Sequence, residues 1–307
     1  MERPERLRGW TDDASNPEDL RLGFSPEHVR LAKAVVVDAL LSQVVASGAS
    51  RATALHARQR TVATAVSYFW RFYQRRSFTT DEPVLVAVAC LSLAGKTLEN
   101  PVHDHTKFVS LADAVAAEMY DEASREELFS CAPDALLPCE LRVLDALKFD
   151  LTPYDPHKEL EEALRDEDED ELFLVAWGVL NDSLVTPTCV CVTERAAAVA
   201  AVAVACELMD VEPPKGAFLS RDEKNVFVET PEGEVALAAR EMTRYRAAFA
   251  ENADSFAENA ETEKNTPKGA PAGWRARPPM LAGLRARAAR IIEAARRAGE
   301  TAARPRA

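Results

Sequence analysis

Val86-Ala87-Val88-Ala89-Cys90 returns letter for letter as Val202-Ala203-Val204-Ala205-Cys206, 116 residues further along the chain. Each copy sits inside a longer run of small apolar residues, Val84–Ala94 and Ala196–Met209. A helix that is apolar all round has no face to offer water, so other helices must surround it. Two such helices at a fixed offset predict a duplicated domain, each copy built around a narrow central helix. The copies end differently, the first in Gly95-Lys96 and the second in Met209-Asp210.

Outward from these runs the chain reads as helix after helix. Ser25-Pro26 supplies an N-cap followed by proline at the first helical position. Val29, Ala32, Val36, Leu40 and Val44 then recur at steps of three and four, predicting an amphipathic helix that ends near Gly48. A second helix is expected from about Leu55 to Arg75, the central one after Asp81-Glu82-Pro83, a fourth over about Thr106–Met119 and a fifth over Asp134–Phe149. The proline-containing segment Thr152–Pro156 breaks the chain. Beyond it come helices at Pro156–Leu164, around Leu172–Leu180, at Thr193–Met209 and from Thr230-Pro231 to about Phe249, with the acidic run Asp166–Glu171 as a solvated turn. The predicted organisation is an N-terminal segment (1–24), a first five-helix domain (25–151), a second (152–250) and a mostly disordered basic tail (251–307). Within that tail Asn265–Pro279 reads as disordered and Leu281–Arg297 as a short basic helix. The fold class is all-α.

Composition narrows the function. With 47% hydrophobic residues in 307, the chain can bury two cores. Met1–Arg8 is too charged for a signal peptide, and uncharged stretches such as Pro83–Gly95 are too short to span a bilayer, so a soluble intracellular protein is expected. The six cysteines form no CxxC pair and read as small core residues rather than disulfides or metal ligands. His103-Asp104-His105, after Asn100-Pro101, reads as a solvated loop, so neither a metal nor a cofactor is expected. Net charge is −13, but residues 264–307 carry eleven Lys and Arg against Glu293 and Glu300, leaving −22 on the remainder. So acidic a body is not expected to bind nucleic acid directly.

Catalytic signatures are missing. Glycine is sparse, at 11, with no phosphate-binding loop, and neither GxSxG nor HExxH spacing occurs. No catalytic residue is assigned. One constellation stands out on electrostatic grounds. At 100° per residue, Leu136, Glu140, Val143, Leu144 and Leu147 share a helix face, which places a carboxylate mid-way along an apolar stripe. A buried, unpaired carboxylate is costly and calls for a partner. Lys96 is the first charge after the wholly apolar helix, at the end where the helix dipole favours a cation. The pattern allows a Lys96–Glu140 pair in a groove. It equally allows a lysine reaching water and a glutamate at the domain edge.

The same residues carry a family resemblance. Arg58–Ala65, Tyr68-Phe69-Trp70-Arg71-Phe72-Tyr73 and Leu93-Ala94-Gly95-Lys96 resemble a cyclin box of the transcriptional type. Glu140-Leu141, Leu147–Leu151 and Tyr154-Asp155-Pro156 are similar to the end of that box and the linker after it. Ala176–Ser183 and the alanine-rich helix behind it are most similar to the second box of the cyclin C branch, and the likeness runs from about Ser25 to Phe249. It implies two tandem five-helix cyclin boxes. It also implies a non-catalytic subunit that binds and activates a cyclin-dependent kinase, with Mediator subunits as further partners, in RNA polymerase II transcription in the nucleus. Lys96 and Glu140 match family positions that reach kinase backbone groups. The family usually follows the lysine with two acidic residues; here Lys96-Thr97-Leu98-Glu99-Asn100 keeps only Glu99, with Leu98 in place of the first. Lys96, Glu140 and Glu99 are therefore the expected kinase-binding residues. The alternatives are a cyclin of the K, L or T type serving an elongation kinase, and a kinase-independent two-box adaptor of the general transcription factor IIB type.

Overall fold

The computed structural model describes residues 16–21, 23–48, 52–77, 80–101, 105–122, 125, 129, 134–164, 170–212, 214, 219–221, 227–229, 232–253, 288–294 and 296–297. Helix starts follow the local grammar of the sequence. Ser25 Oγ accepts from the His28 N–H at 3.3 Å and opens α2 (Pro26–Gly48). Glu82 Oε2 accepts from the Leu85 N–H at 2.6 Å and, with Pro83 behind it, opens α4 (Pro83–Thr97). Ahead of these lies a short helix, α1 (Pro17–Arg21), and between them α3 (Ala52–Arg75). α5 (His105–Met119) and α6 (Leu136–Leu147) complete the first group.

All five residues of Val86–Cys90 are fully buried. Helices α2, α3, α5 and α6 pack directly on α4, so the repeat is the axis of a five-helix box. The second group is α7 (Pro156–Ala163), α8 (Asp170–Ser183), the single turn α9 (Thr188–Cys191), α10 (Glu194–Met209) and α11 (Glu232–Ala253). Here α10 is central, capped by Thr193 and packed against α7, α8, α9 and α11. Its wall is less complete, because Ala203 is only half-buried whereas its counterpart Ala87 has no exposure.

The polar row of α3 ties the two groups to the chain between them. Arg60, Thr64, Tyr68 and Arg71 recur at helical spacing. Arg60 pairs with Asp155 at 3.1 Å, and Thr64 Oγ1 donates to the Tyr154 carbonyl and accepts its N–H. The Tyr68 hydroxyl donates to the Leu151 carbonyl at 2.7 Å, and the buried Arg71 pairs with Asp150 at 2.7 Å. Further along, Gln59 donates to Asn181 of α8 and meets His157 Nε2 at 3.4 Å, while His157 and Asn181 are joined at 2.9 Å.

Several features depart from the pattern reading. Amphipathic spacing predicts one inward face for α2, yet every residue from Val35 to Leu41 is buried, Asp38 included. A two-stranded antiparallel hairpin, β1 (Leu219–Arg221) with β2 (Phe227–Glu229), lies between α10 and α11, where no strand is expected. Of the acidic run, Asp170 and Glu171 form the first turn of α8, where the helix dipole favours them. α11 continues to Ala253, and residues 288–294 are helical with Ala288, Ala289 and Ile292 in the apolar core.

The remainder of the acidic run, the proposed helix start Thr230-Pro231, Asn265–Pro279, Met1–Arg8, His103 and Asp104 lie outside the described residues. Among the described residues no helix is long and apolar enough to cross a membrane, and no three His, Cys, Asp or Glu side chains gather as metal ligands. Cys90, Cys139, Cys189, Cys191 and Cys206 are buried; burial pushes Cys139 up to about 12 and Cys90 well above its ordinary value, so neither of these two is a thiolate at neutral pH.

Candidate functional site

The C-terminal end of α4 is closed by a tight turn. Leu98 N–H bonds to the Ala94 carbonyl and Asn100 N–H to the Gly95 carbonyl, at 3.0 and 2.8 Å. A Cβ on Gly95 would stand 3.1 Å from the Asn100 carbonyl oxygen, so a side chain there would force the turn outward. This closure places Lys96 at the helix end, 40% exposed. From the neighbouring helix, Glu140 of α6 reaches it, with Lys96 Nζ 2.6 Å from Oε2. The Glu140 side chain is only 5% exposed, and its other oxygen, Oε1, is buried with no hydrogen-bond partner. That orphan acceptor is the chemical signature of the site, since buried polar atoms are nearly always satisfied.

Apolar surface flanks the pair. Leu137 is 57% exposed and Leu141 59%, one turn apart on α6. On the same wheel that put Glu140 in a buried stripe, Leu137 and Leu141 form a second stripe facing away from the core, while Leu144, partly buried, packs against the core between the two. Glu140 lies on the border between the two. α6 then ends in two consecutive residues of left-handed conformation, Lys148 (φ 52°) and Phe149 (φ 59°). This backbone is unusual for a bulky aromatic, and Phe149 is 72% exposed. The Tyr68 hydroxyl, donating to the Leu151 carbonyl at 2.7 Å, ties the segment just after Phe149 to α3.

Of the three residues expected from sequence, the structure joins Lys96 and Glu140. Glu99 lies three residues on, exposed, in the left-handed conformation (φ 54°), and its N–H donates to the Lys96 carbonyl at 3.3 Å. Its carboxylate is not part of the pair. Leu137, Leu141 and Phe149 are the residues that sequence reasoning missed. The signal was present: Leu136 and Leu137 are adjacent, so one helix face cannot bury both.

Residues 50–152 match the family described as "Cyclin, N-terminal domain". That segment resembles a cyclin N-terminal domain. The relatives it resembles include Cyclin-C of Drosophila melanogaster, 32% identical over 165 residues, which are 53% of this chain and 61% of that protein. Cyclin-C of Rattus norvegicus is 33% identical over 153 residues, 50% of this chain and 55% of the relative. The chain thus spans somewhat over half the length of the curated relatives it matches. Among solved structures, a chain of the yeast RNA Pol II CTD kinase CTDK-1 complex superimposes with a TM-score of 0.55 at 18% identity, covering 88% of this chain and 78% of that one. At that identity the match is one of fold. The cyclin match contains α4, α6 and the Lys96–Glu140 pair.

Proposed function

We propose that the chain is a non-catalytic regulatory subunit that binds and activates a cyclin-dependent serine/threonine kinase through the end of α4 and the outer stripe of α6. The observation that carries this reading is the unsatisfied Oε1 of Glu140 beside Lys96, framed by exposed Leu137, Leu141 and Phe149. An orphan acceptor next to an ammonium with donors to spare suits backbone N–H and C=O groups of an arriving segment. The leucines supply apolar area to bury around them. The relatives named Cyclin-C favour a kinase of transcription, and with it action on RNA polymerase II within the Mediator kinase module, in the nucleus. An acidic body of charge −22 weighs against the DNA-binding adaptor.

Affinity purification of the tagged full chain from nuclear extract, with mass spectrometry of what it retains, tests the reading. A cyclin-dependent kinase catalytic subunit should be recovered, together with Mediator subunits, and should be absent when Leu141→Asp is the bait. Recovery of Mediator without a kinase, or of the kinase equally with both baits, would contradict it.

A further inference from the structure

The segment between the two helical groups is held by α3 almost residue by residue. Asp150 pairs with Arg71 at 2.7 Å, and the Leu151 carbonyl accepts from the Tyr68 hydroxyl at 2.7 Å. Tyr154 exchanges two hydrogen bonds with Thr64, and Asp155 pairs with Arg60 at 3.1 Å. Thr152 and Pro153 stand between these anchors. Thr152 is exposed, and its N–H and hydroxyl donate not to α3 but to Asp150 Oδ1, two residues back, at 3.1 and 2.7 Å. Pro153 has no N–H to offer, and the backbone at both positions is neither helix nor strand. The result is an exposed hydroxyl followed directly by proline on an irregular stretch of chain, the setting in which modifying enzymes find their substrates.

Ser25, Thr186, Thr230 and Thr266 also precede a proline. Ser25 uses its hydroxyl oxygen to cap α2, Thr186 is only 5% exposed, and Thr230 and Thr266 lie outside the described residues. Among the described pairs, Thr152 is therefore the one that presents its hydroxyl to solvent. A phosphate there would set a charge of roughly −1.5 to −2 beside Asp150, where a hydroxyl donor now stands. Attraction becomes repulsion between like charges. Arg71 does not offset it, because its side chain is 2% exposed and held on the other oxygen, Oδ2, while Thr152 faces water.

We infer that Thr152 is a phosphorylation site for a proline-directed serine/threonine kinase, and that its phosphate breaks the Thr152–Asp150 bonds and loosens the 150–152 turn. In the transfer, Thr152 Oγ1 bonds to the γ-phosphorus of ATP while the bond from that phosphorus to the bridging oxygen breaks. ADP leaves with the electron pair, and the hydroxyl proton passes to a base of the kinase. Before reacting, the hydroxyl gives up one solvent-exposed hydrogen bond to Asp150. The site uses neither Lys96 nor Glu140, so phosphorylation of Thr152 and kinase binding at the end of α4 can fail independently.

The test uses the full-length protein, incubated in nuclear extract with Mg-ATP and mapped by mass spectrometry. Thr152 should carry phosphate. Thr152→Ser should keep the label at that position, and Pro153→Ala should carry at least tenfold less, each variant first shown to be folded by its thermal unfolding curve. In the purified phosphorylated chain, the Thr152 amide should exchange at least tenfold faster than in the unmodified chain. Absence of phosphate at Thr152 would overturn the inference, as would equal labelling of the Pro153→Ala chain or an unchanged Thr152 amide after phosphorylation.

Discussion

At the scale of single residues, the Lys96–Glu140 pair is asymmetric. The ammonium is 40% exposed and can turn to water, whereas the carboxylate is 5% exposed and cannot. Removing the lysine therefore strands a buried charge, and removing the glutamate strands none. Lys96→Met should cost about 1–3 kcal/mol, while Glu140→Met should fall within about 1 kcal/mol of wild type, by urea unfolding. Equal losses would mean that the burial is not as described. Asp150 gives a second case, with a pH signature. Partial burial pushes its carboxyl up, but the Thr152 N–H and hydroxyl, with Arg71, outweigh this and hold it below its ordinary value. A lowered folded value means stability that is fully present above the unfolded value and lost as pH falls through the folded one. Asp150→Asn should therefore flatten the acid limb of the stability–pH curve below about pH 4–5 and leave no slope near neutrality, as read by thermal unfolding across that range.

At the scale of elements, α4 shows why so much of the fold was legible. Its cap, its proline and its unbroken small apolar run each follow from local rules, and they agree with one another. The face of α6 was only half legible. The buried stripe through Glu140 follows from periodicity, but the stripe through Leu137 and Leu141 stays exposed, although periodicity alone would not tell it from a buried one. Periodicity registers only that two stripes exist. The surplus burial of α2 was not legible at all, since it depends on distant segments packing over a surface that spacing would leave to solvent. The close of α4 yields its own prediction. In open surroundings a β-branched residue at position 95 would be a modest change, but here its Cβ meets backbone at 3.1 Å. Gly95→Val should lower stability by about 1–3 kcal/mol and displace the 98–101 turn, visible as faster exchange of the Asn100 amide. An unchanged amide would show that the turn does not rest on Gly95.

At the scale of the whole molecule, the two helical groups have different ends. The first closes on Gly95 and Lys96 and meets Glu140, while the second ends at Asp210 in a left-handed cap and leaves Leu208 exposed. The boxes are coupled through the buried Gln59 and His157 and the half-buried Asn181. Gln59→Leu removes a partner from polar groups that stay buried, and should cost about 1–3 kcal/mol in urea unfolding. No cost would mean that the network does not hold the halves together. The central claim concerns the first box, and its most direct measurement is reconstituted kinase activity. The purified catalytic subunit recovered with the chain should gain at least tenfold in peptide phosphorylation on adding wild-type protein. Adding Glu140→Met or Leu141→Asp, each shown to be folded by its unfolding curve, should give little or no gain. Full activation by both variants would contradict the assignment of the α4–α6 surface as the kinase-binding site.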